Sequence, residues 1–344
     1  MAPTLTLQAP VQAGRRLPEI DELKGLAILL VVLYHAGGTL VWQNFLHGDL
    51  GVDMFVILSG VGLALGGSYT TAREFLRRRL SRILPAYWIV LTAYWALNSH
   101  FLQKQYSAAE VGLHYLGIHA FFGDFYALGI NDSFWFITLI LGLYVTYCAL
   151  RSLLDAPDKL LLAGGILSVT LAFATFFTRQ SGIFGHVALR VPGFFLGLLA
   201  GQLLRQGHLS LPLSARMGLA LFILSYVPYT QGVVFHTMVV GSLLMLFYVF
   251  TLRPALPEEL RLSTGRVLGF LGRYSLEIFL IHQPLIREYV YYCLGRFFNI
   301  PVPTPAQLIG GMLVGFALTL FLSVELQRLL ARLPGSRPAP SSSA

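Results

Sequence analysis

Four ionisable residues interrupt long apolar segments of this sequence. His35 and Asp53 lie in LVVLYHAGG and LGVDMFVIL, and Glu277 and His282 lie in SLEIFLIHQPL. An ionisable side chain inside a membrane is costly, so one that occurs there is a candidate for a functional role. Imidazole titrates near neutral pH and can therefore accept and release protons. The four residues indicate a site that handles protons.

His35 and Asp53 are predicted to form a catalytic dyad. The short link between the first two apolar segments makes them antiparallel neighbours, and the rise of an α-helix then puts the two residues within about 6 Å of each other in depth. A carboxylate bound to one ring nitrogen fixes the imidazole tautomer and raises the basicity of the other nitrogen. We expect His35 to act as a general base that Asp53 orients. The alternatives are a packing role for His35 and a helix cap for Asp53.

Glu277 and His282 are predicted to lie deep in the same membrane segment, with His282 near the depth of His35. Pro284 removes a backbone donor and frees a carbonyl one turn earlier, near Leu280. Broken helical backbone at membrane depth usually lines a cavity or a polar site. We expect Glu277 and His282 to belong to a substrate-binding region, and the alternative is a set of hydrogen bonds between helices.

A basic group forms the second set of candidates. Arg78, Arg79 and Arg82 lie on one flank of a predicted helix, and Lys24 precedes His35 by eleven residues. Guanidinium groups bind phosphate well because their planar fork matches the anion. We expect a phosphate clamp for an anionic cofactor, and the alternative is anchoring at the membrane surface. A coenzyme A thioester fits both sets of candidates, because it has an anionic head and a reactive tip.

Positioning these residues requires a set of membrane-spanning helices. Hydrophobic types make up 56% of the 344 residues and charged types only 12%, and the mean hydropathy is +0.68. The charged share is about half that of a soluble protein, which excludes a cytosolic enzyme, a DNA-binding protein and a disordered chain. Apolar runs of spanning length, without the alternation of barrel strands, predict an all-α polytopic membrane protein. About ten transmembrane helices are expected, at residues 22–42, 50–68, 83–102, 133–151, 160–178, 186–204, 215–230, 232–251, 267–292 and 306–330.

The distribution of basic residues predicts the orientation. The net charge of +8 and the pI of 9.6 reflect basic cytoplasmic loops and contact with membrane lipid rather than with nucleic acid. Only five of the 24 Lys and Arg residues fall on one side of the predicted membrane, so the other side is cytoplasmic and holds both termini. We expect a multi-pass protein of the inner (plasma) membrane. Its transmembrane domain is residues 18–332, between a flexible tail at 1–17 and a disordered tail at 333–344.

The link at residues 103–132 is long and half apolar, but it is too interrupted for a span. We expect it to be an external interfacial or re-entrant segment. His114 and His119 within it are five residues apart, which puts them on different helix faces and argues against a metal pair. No metal site is expected.

Glycines on the sixth predicted span indicate close helix packing. Gly193, Gly197 and Gly201 repeat every four residues and therefore lie on one face. Such a stripe lets another helix backbone approach closely in lipid.

Five segments, in their order and spacing, resemble the membrane acyltransferase family 3, whose members acylate surface sugars and related envelope molecules. The segments are PEIDELKGLAILLVVLYH, GVDMFVILSG, FLRRRLSRILPAYW, FWFITLILGLYV and LGRYSLEIFLIHQPL, and the resemblance extends over residues 18–330. Lys24 and His35 keep the family spacing of a basic residue, ten residues and then His, with Lys in place of the usual Arg. Arg79 and Arg82 match the family's Arg-x-x-Arg.

The fourth predicted span departs from one common form of the family. Many members carry a pair of Glu residues after a Trp, whereas here Trp135 is followed by FITLILGLY, which puts Ile140 and Leu141 at those positions. This pattern is similar to the WFL-type branch of the family. We expect no soluble esterase-like domain after the last predicted span. The resemblance therefore implies that the membrane domain completes the transfer or passes the acyl group to another protein.

The resemblance implies an integral membrane O-acyltransferase. It would move an acyl group, acetyl in the leading interpretation, from cytoplasmic acyl-CoA to a hydroxyl of an envelope polysaccharide or a lipid-linked sugar. The residues expected to hold the CoA phosphates are Lys24, Arg78, Arg79 and Arg82. Those expected to bind the acceptor are Trp135, Glu277 and His282.

Two other functions remain open on the sequence. The first is a proton-coupled transporter of a small polar solute, in which His35, Glu277 and His282 would relay protons. The second is a scaffolding membrane protein. Release of CoA thiol from acetyl-CoA would distinguish the acyltransferase from both.

Overall fold

The computed structural model describes residues 17–39, 49–66, 71–122, 129–153, 157–177, 187–206, 217 and 233–332. These residues form a bundle of α-helices and contain no β-strand. The predicted all-α class is therefore confirmed for the described part of the chain. The predicted C-terminal tail lies outside the described residues, as do the N-terminal tail before Leu17 and all of the seventh predicted span except Met217.

We number the main helices in chain order. They are α1 (Pro18–Thr39), α2 (Asp49–Leu65), α3 (Ala72–Phe101), α4 (Ala108–Leu116), α5 (Trp135–Leu153), α6 (Pro157–Phe177), α7 (Val191–Gln206), α8 (Val233–Phe247), α9 (Glu258–Arg273), α10 (Ser275–Ile286), α11 (Glu288–Arg296) and α12 (Pro305–Ala331). A π-helical turn (Tyr248–Leu252) and one α-turn (Arg253–Ala255) continue α8. Short 3₁₀ turns occupy His119–Phe122 and Asp132–Phe134.

Three described helices are long and apolar enough to cross a membrane: Ala72–Phe101, Asp132–Arg151 and Pro305–Ala331. Shorter apolar helices occur at Leu50–Leu65, Lys159–Ala174 and Val240–Ala255. Each of these six segments overlaps a predicted span, and α1 and α7 overlap two more. The total of ten spans stays a prediction.

The start of α3 differs from the predicted third span. The side chain of Thr71 accepts a hydrogen bond from the backbone N–H of Glu74, at 3.1 Å, and so caps the helix eleven residues before the expected start at residue 83. A side-chain oxygen at this position satisfies an N–H group that would otherwise have no partner. The basic residues of this region are therefore helical.

The ninth predicted span, residues 267–292, is wrong as a single helix. The described chain divides it among α9, α10 and α11, with non-helical backbone at Tyr274 (φ −97°, ψ 12°) and Arg287 (φ −126°, ψ −81°). Pro284 lies inside α10, two residues before its end. A proline in a helix removes one backbone hydrogen bond and crowds the preceding turn, so the helix is weakest there.

Close backbone approach joins the helices in pairs. α2 packs on α7, and a Cβ added at Gly197 would lie 2.0 Å from the Ile57 carbonyl oxygen, while one at Gly201 would lie 2.8 Å from that of Val61. This contact confirms the predicted packing face for those two glycines. α1 packs on α9 in the same way, since a Cβ at Gly272 would lie 1.8 Å from the Asp21 carbonyl oxygen.

Helix α10 lies at the centre of the described bundle. It packs against α1, α3, α11 and α12. Seven consecutive side chains of the short helix, those of residues 277–283, are buried together with Pro284. Because a surface helix buries only one face, this burial makes α10 an interior helix, and any polar side chain on it lies inside the protein.

Candidate active site

His35 of α1 and His282 of α10 lie side by side. Their ring centroids are 5.1 Å apart, and the rings are tilted by 56°. His282 is completely buried, and its Nδ1 lies 2.9 Å and 3.0 Å from the carbonyl oxygens of Phe279 and Ile278. Since carbonyl oxygens only accept, Nδ1 carries the hydrogen, and the neutral ring presents a lone pair at Nε2. No residue in the described part of the chain forms a hydrogen bond with that buried Nε2.

Asp53 of α2 forms an ion pair with Arg190, which lies just before α7. Asp53 Oδ1 and Arg190 Nε are 3.1 Å apart, with both side chains almost fully buried. The Arg190 guanidinium in turn lies 5.1 Å from the ring centroid of Trp135, at the start of α5. A buried carboxylate requires such a partner because its desolvation is costly. The orienting role expected of Asp53 towards His35 stays a prediction.

The backbone of α10 is hydrogen-bonded sideways to its neighbours where Pro284 breaks the helical ladder. The Leu280 carbonyl accepts from Asn131 Nδ2 at 3.3 Å, and the Ile281 carbonyl accepts from the Tyr94 hydroxyl at 2.5 Å. The freed carbonyl that Pro284 predicts near Leu280 is thus confirmed.

Gln283 is held by one end of its amide. Ser133 Oγ donates to Gln283 Oε1 at 2.6 Å, and the Ser133 backbone N–H donates to Asn131 Oδ1 at 2.9 Å. Gln283 is 1% exposed, and its Nε2 has no hydrogen-bond partner among the described residues. The amide therefore presents two buried N–H groups that the described residues do not bind.

These contacts close a ring of elements around one interior region. α1 meets α10 through the two histidines, and α10 meets the start of α5 through Ser133 and through the rings of Phe279 and Phe136, whose centroids are 4.8 Å apart. Trp135 continues the ring to Arg190, Arg190 reaches Asp53 on α2, and α2 packs against α1.

The predicted phosphate clamp is helical, but its three arginines have different surroundings. Arg78 is exposed and pairs with Glu74 one turn earlier. Arg79 lies 5.7 Å and 5.6 Å from the ring centroids of Phe75 and Tyr144. Arg82 lies within electrostatic range of Glu277. The three arginines therefore have different neighbours, and their role as a phosphate clamp stays a prediction.

The two ends of α10 belong to different groups of side chains. Glu277 lies near Arg82 at the start of the helix, whereas His282, about 7.5 Å further along at the helical rise, lies against His35. Lys24 and His35 lie on the same face of α1, because eleven residues make just over three turns. The structure does not bring Glu277 and His282 together, although both are predicted to bind the acceptor.

The predicted separation of His114 and His119 is wrong. Their rings stack with centroids 4.0 Å apart and planes 7° apart, and both are completely buried. Gly117 ends α4 in the left-handed conformation (φ 69°), so His119 belongs to a separate turn. Burial and the neighbouring His114 lower the pKa of His119 to about 3. No group of three or more His, Cys, Asp or Glu side chains in the described chain could hold a metal ion.

Arg190 and Gln283 are not among the site residues that the sequence predicts. Both carry a signal that was available: Arg190 interrupts the apolar segment VALRVPGFF, and Gln283 lies between His282 and Pro284. A charged or amide group in such a segment is a functional candidate by the same rule that selects His35.

The sequence matches a family model described as "Acyltransferase domain" over residues 17–324. ORF330 of Acidianus two-tailed virus, named as an acetyltransferase, is 27% identical over 287 residues, which cover 77% of this chain and 82% of ORF330. BcsY of Komagataeibacter xylinus, named as a membrane-bound transacylase, is 29% identical over 204 residues, 54% of this chain and 51% of BcsY. OatA of Staphylococcus aureus (strain NCTC 8325 / PS 47), named as an O-acetyltransferase, is 35% identical over 79 residues, 21% of this chain and 12% of OatA. No solved structure matches the chain with significance.

Proposed function

Because this chain belongs to the acyltransferase family that matches residues 17–324, and is therefore an acyltransferase, we propose that it moves an acetyl group from cytoplasmic acetyl-CoA to a hydroxyl of an envelope polysaccharide or a lipid-linked sugar. The apolar helices and the family together make it a membrane protein. The donor, the acceptor and the residue roles below are the proposal.

The observation that carries the proposal is the position of α10 between two groups of polar side chains. Arg82 lies towards its first residues, near Glu277, and Arg79 precedes Arg82 by three residues on α3. His35 and His282 lie further along it. A CoA thioester has its phosphates at one end and its reactive carbonyl at the other, so a single donor could reach both groups.

On the donor side, Arg79 and Arg82 hold the CoA phosphates, with Lys24 as a third cation. A guanidinium forms two parallel hydrogen bonds to a phosphate. Arg78 forms an ion pair with Glu74 on its own helix. The predicted cytoplasmic side of this group agrees with the compartment in which acyl-CoA occurs.

On the acceptor side, His35 acts as general base. It takes the proton of the acceptor hydroxyl while the hydroxyl oxygen attacks the thioester carbon, and a tetrahedral oxyanion forms. The oxyanion then collapses, the C–S bond breaks, and the leaving CoA thiolate takes up the proton from the imidazolium. Asp53, fixed by Arg190, orients His35, and His282 accepts a hydrogen bond from a second hydroxyl of the acceptor. Trp135, which lies beside Arg190, supplies an apolar wall for a sugar.

The relatives support transfer to oxygen. OatA is named as an O-acetyltransferase and BcsY as a transacylase. We extend this chemistry to the present chain with a sugar hydroxyl as acceptor.

The test is release of CoA thiol from acetyl-CoA by the purified protein in liposomes, with envelope glycan as acceptor and mass spectrometry of the product. The wild type should release thiol and add acetyl groups, His35→Ala should not, and His100→Ala should behave as wild type. His100 is an exposed histidine at the end of α3 and is a matched control. Equal activity of His35→Ala and wild type would reject His35 as the base. Absence of thiol release by the wild type would reject acetyl-CoA as the donor.

A further inference from the structure

Gln283 and His282 present complementary hydrogen-bonding atoms that no described residue binds. His282 Nε2 has a lone pair, because its Nδ1 hydrogen is bound to backbone carbonyls. Gln283 Nε2 has the two hydrogens of an amide nitrogen. Ser133 binds the oxygen of the same amide, and no described residue binds the nitrogen. Both side chains are at least 99% buried. A buried donor without a partner costs free energy, so this arrangement favours a ligand that supplies one.

The chemistry of such a ligand follows from the two atoms. The lone pair of His282 Nε2 accepts from a hydroxyl, and the N–H groups of Gln283 donate to an oxygen that carries negative charge or partial negative charge. In the proposed transfer the donor supplies the carbonyl oxygen, and a sugar acceptor supplies hydroxyls beside the reacting one, whose proton goes to His35. Both atoms belong to α10, which contacts His35 of α1 through His282 and contacts Ser133, just before α5, through Gln283.

We propose that the side-chain amide of Gln283 binds the thioester carbonyl oxygen and stabilises the oxyanion that forms when the acceptor hydroxyl attacks. Ser133 acts as a positioning residue, since its hydrogen bond fixes Oε1 and leaves Nε2 as the end of the amide that no described residue binds. The inference rests on the proposed function, because it assigns a residue to that same transfer reaction. No bond in Gln283 forms or breaks, and the amide only donates a hydrogen bond that strengthens as the oxygen becomes charged.

The first experiment measures kcat and KM for acetyl-CoA in the full-length protein. Gln283→Leu removes the donor and should lower kcat by about 100- to 1,000-fold, as loss of one oxyanion donor does, with KM changed by less than about threefold. Gln283→Glu keeps the shape and the acceptor for Ser133, but it removes both hydrogens and adds a negative charge, so it should be at least as inactive. Gln202→Leu, a half-buried glutamine on α7, is the matched control and should keep wild-type rates.

The second experiment separates stabilisation of the oxyanion from a structural role. A CoA derivative with a trifluoromethyl ketone in place of the thioester forms a tetrahedral hydrate or adduct that resembles the oxyanion, and such analogues bind more tightly than substrates. The wild type should bind it at least about 100-fold more tightly than acetyl-CoA, and Gln283→Leu should lose that preference while its affinity for acetyl-CoA is unchanged. A merely structural residue would not change the ratio of the two affinities.

Ser133 provides the test if the Gln283 variants do not fold. Ser133→Ala removes the hydrogen bond that holds the Gln283 amide, so it should lower kcat by about tenfold without changing KM. Ser133→Thr keeps a hydroxyl at this position and should keep the wild-type rate. An active wild type with unchanged kcat in folded Gln283→Leu, or in Ser133→Ala, would overturn the inference and leave the proposed function intact. A wild type that neither releases thiol nor binds CoA would overturn both.

Discussion

Arg190 Nε lies 3.1 Å from Asp53 Oδ1, and the two side chains are 0% and 3% exposed. The pair joins α2 to the chain that enters α7, and Trp135 packs against its cationic side. Two charges at this depth offset each other's desolvation only while both are present. The pair therefore stabilises the packing of the helices around the candidate site, and Asp53 is also one of the predicted catalytic residues.

Removing one member of this pair should destabilise the protein strongly. Arg190→Leu leaves a buried carboxylate without its partner and should cost about 3–5 kcal/mol, while the double change Asp53→Leu with Arg190→Leu should recover much of that loss. Thermal unfolding in detergent measures both. The exposed pair of Arg328 and Glu325 is the matched control, and Arg328→Ala should cost less than about 1 kcal/mol. Equal losses at the two pairs would contradict the structural role.

Replacing the clamp arginines by lysine should weaken donor binding. Arg79→Lys and Arg82→Lys keep the charge but lose the planar fork, and each should cost about 1.5–3 kcal/mol, or about a 10- to 100-fold rise in Kd for acetyl-CoA. Isothermal titration calorimetry checks this. Arg266→Lys, an exposed arginine on α9, is the control and should change nothing. An unchanged Kd in both clamp variants would indicate that these residues anchor the protein at the membrane surface and do not bind the donor.

Stability should fall as the pH falls, because His119 is buried as the neutral ring. Its pKa is about 3 in the folded protein and about 6.5 in an unfolded chain. Between these values the unfolded chain binds more protons, so the free energy of unfolding decreases with decreasing pH, by up to about 1.4 kcal/mol per pH unit. His119→Phe keeps a stacked ring that does not titrate and should flatten the profile. Melting temperatures from pH 7 to pH 4 test this, and identical slopes would be the contrary result.

The approach of α2 and α7 should not tolerate a side chain at Gly197. An added Cβ would lie 2.0 Å from the Ile57 carbonyl oxygen, so Gly197→Ala must move one helix and should cost about 1–3 kcal/mol. Gly310→Ala is the control, because a Cβ there meets no atom within 4 Å, and it should be neutral or stabilising by up to about 1 kcal/mol. The melting temperature of Gly197→Ala should therefore fall, and that of Gly310→Ala should stay the same or rise.

Labelling of introduced cysteines should establish the orientation. Both native cysteines, Cys148 and Cys293, are free thiols and are replaced by alanine first. Arg73→Cys and Gln105→Cys then introduce thiols at exposed positions. Arg73 lies in the first turn of α3, and Gln105 follows the end of α3 by four residues. An impermeant thiol reagent applied to intact cells should label position 105 and not position 73. The reverse pattern would place the arginine clamp outside the cell and reject a cytoplasmic donor.

Features that depend on neighbouring residues in the chain could be predicted from the sequence. The freed carbonyl at Leu280 follows from Pro284, and it is where a side chain of another segment binds. The packing face of Gly197 and Gly201 follows from the helical period. Both rest on covalent geometry, which does not depend on the rest of the fold.

Features that depend on chain reversal or on distant partners were harder to predict. Gly117 adopts the left-handed conformation and reverses the chain between His114 and His119, and this places together two rings that a continuous helix would separate. The partner of Asp53 is Arg190, far away in the sequence and brought close only by the packing of α2 on α7. Helical periodicity carries no information on which distant segment a carboxylate will face.

The sideways hydrogen bonds of α10 have a consequence for how substrates reach the site. A shift of one residue along the helix axis, about 1.5 Å, would break the bonds from Tyr94 to Ile281 and from Asn131 to Leu280 together. The two hydrogen bonds come from different segments of the chain, and both oppose sliding of α10 along its axis. In the proposed reaction, the donor and the acceptor would then both move to His35 and His282 while α10 keeps its position.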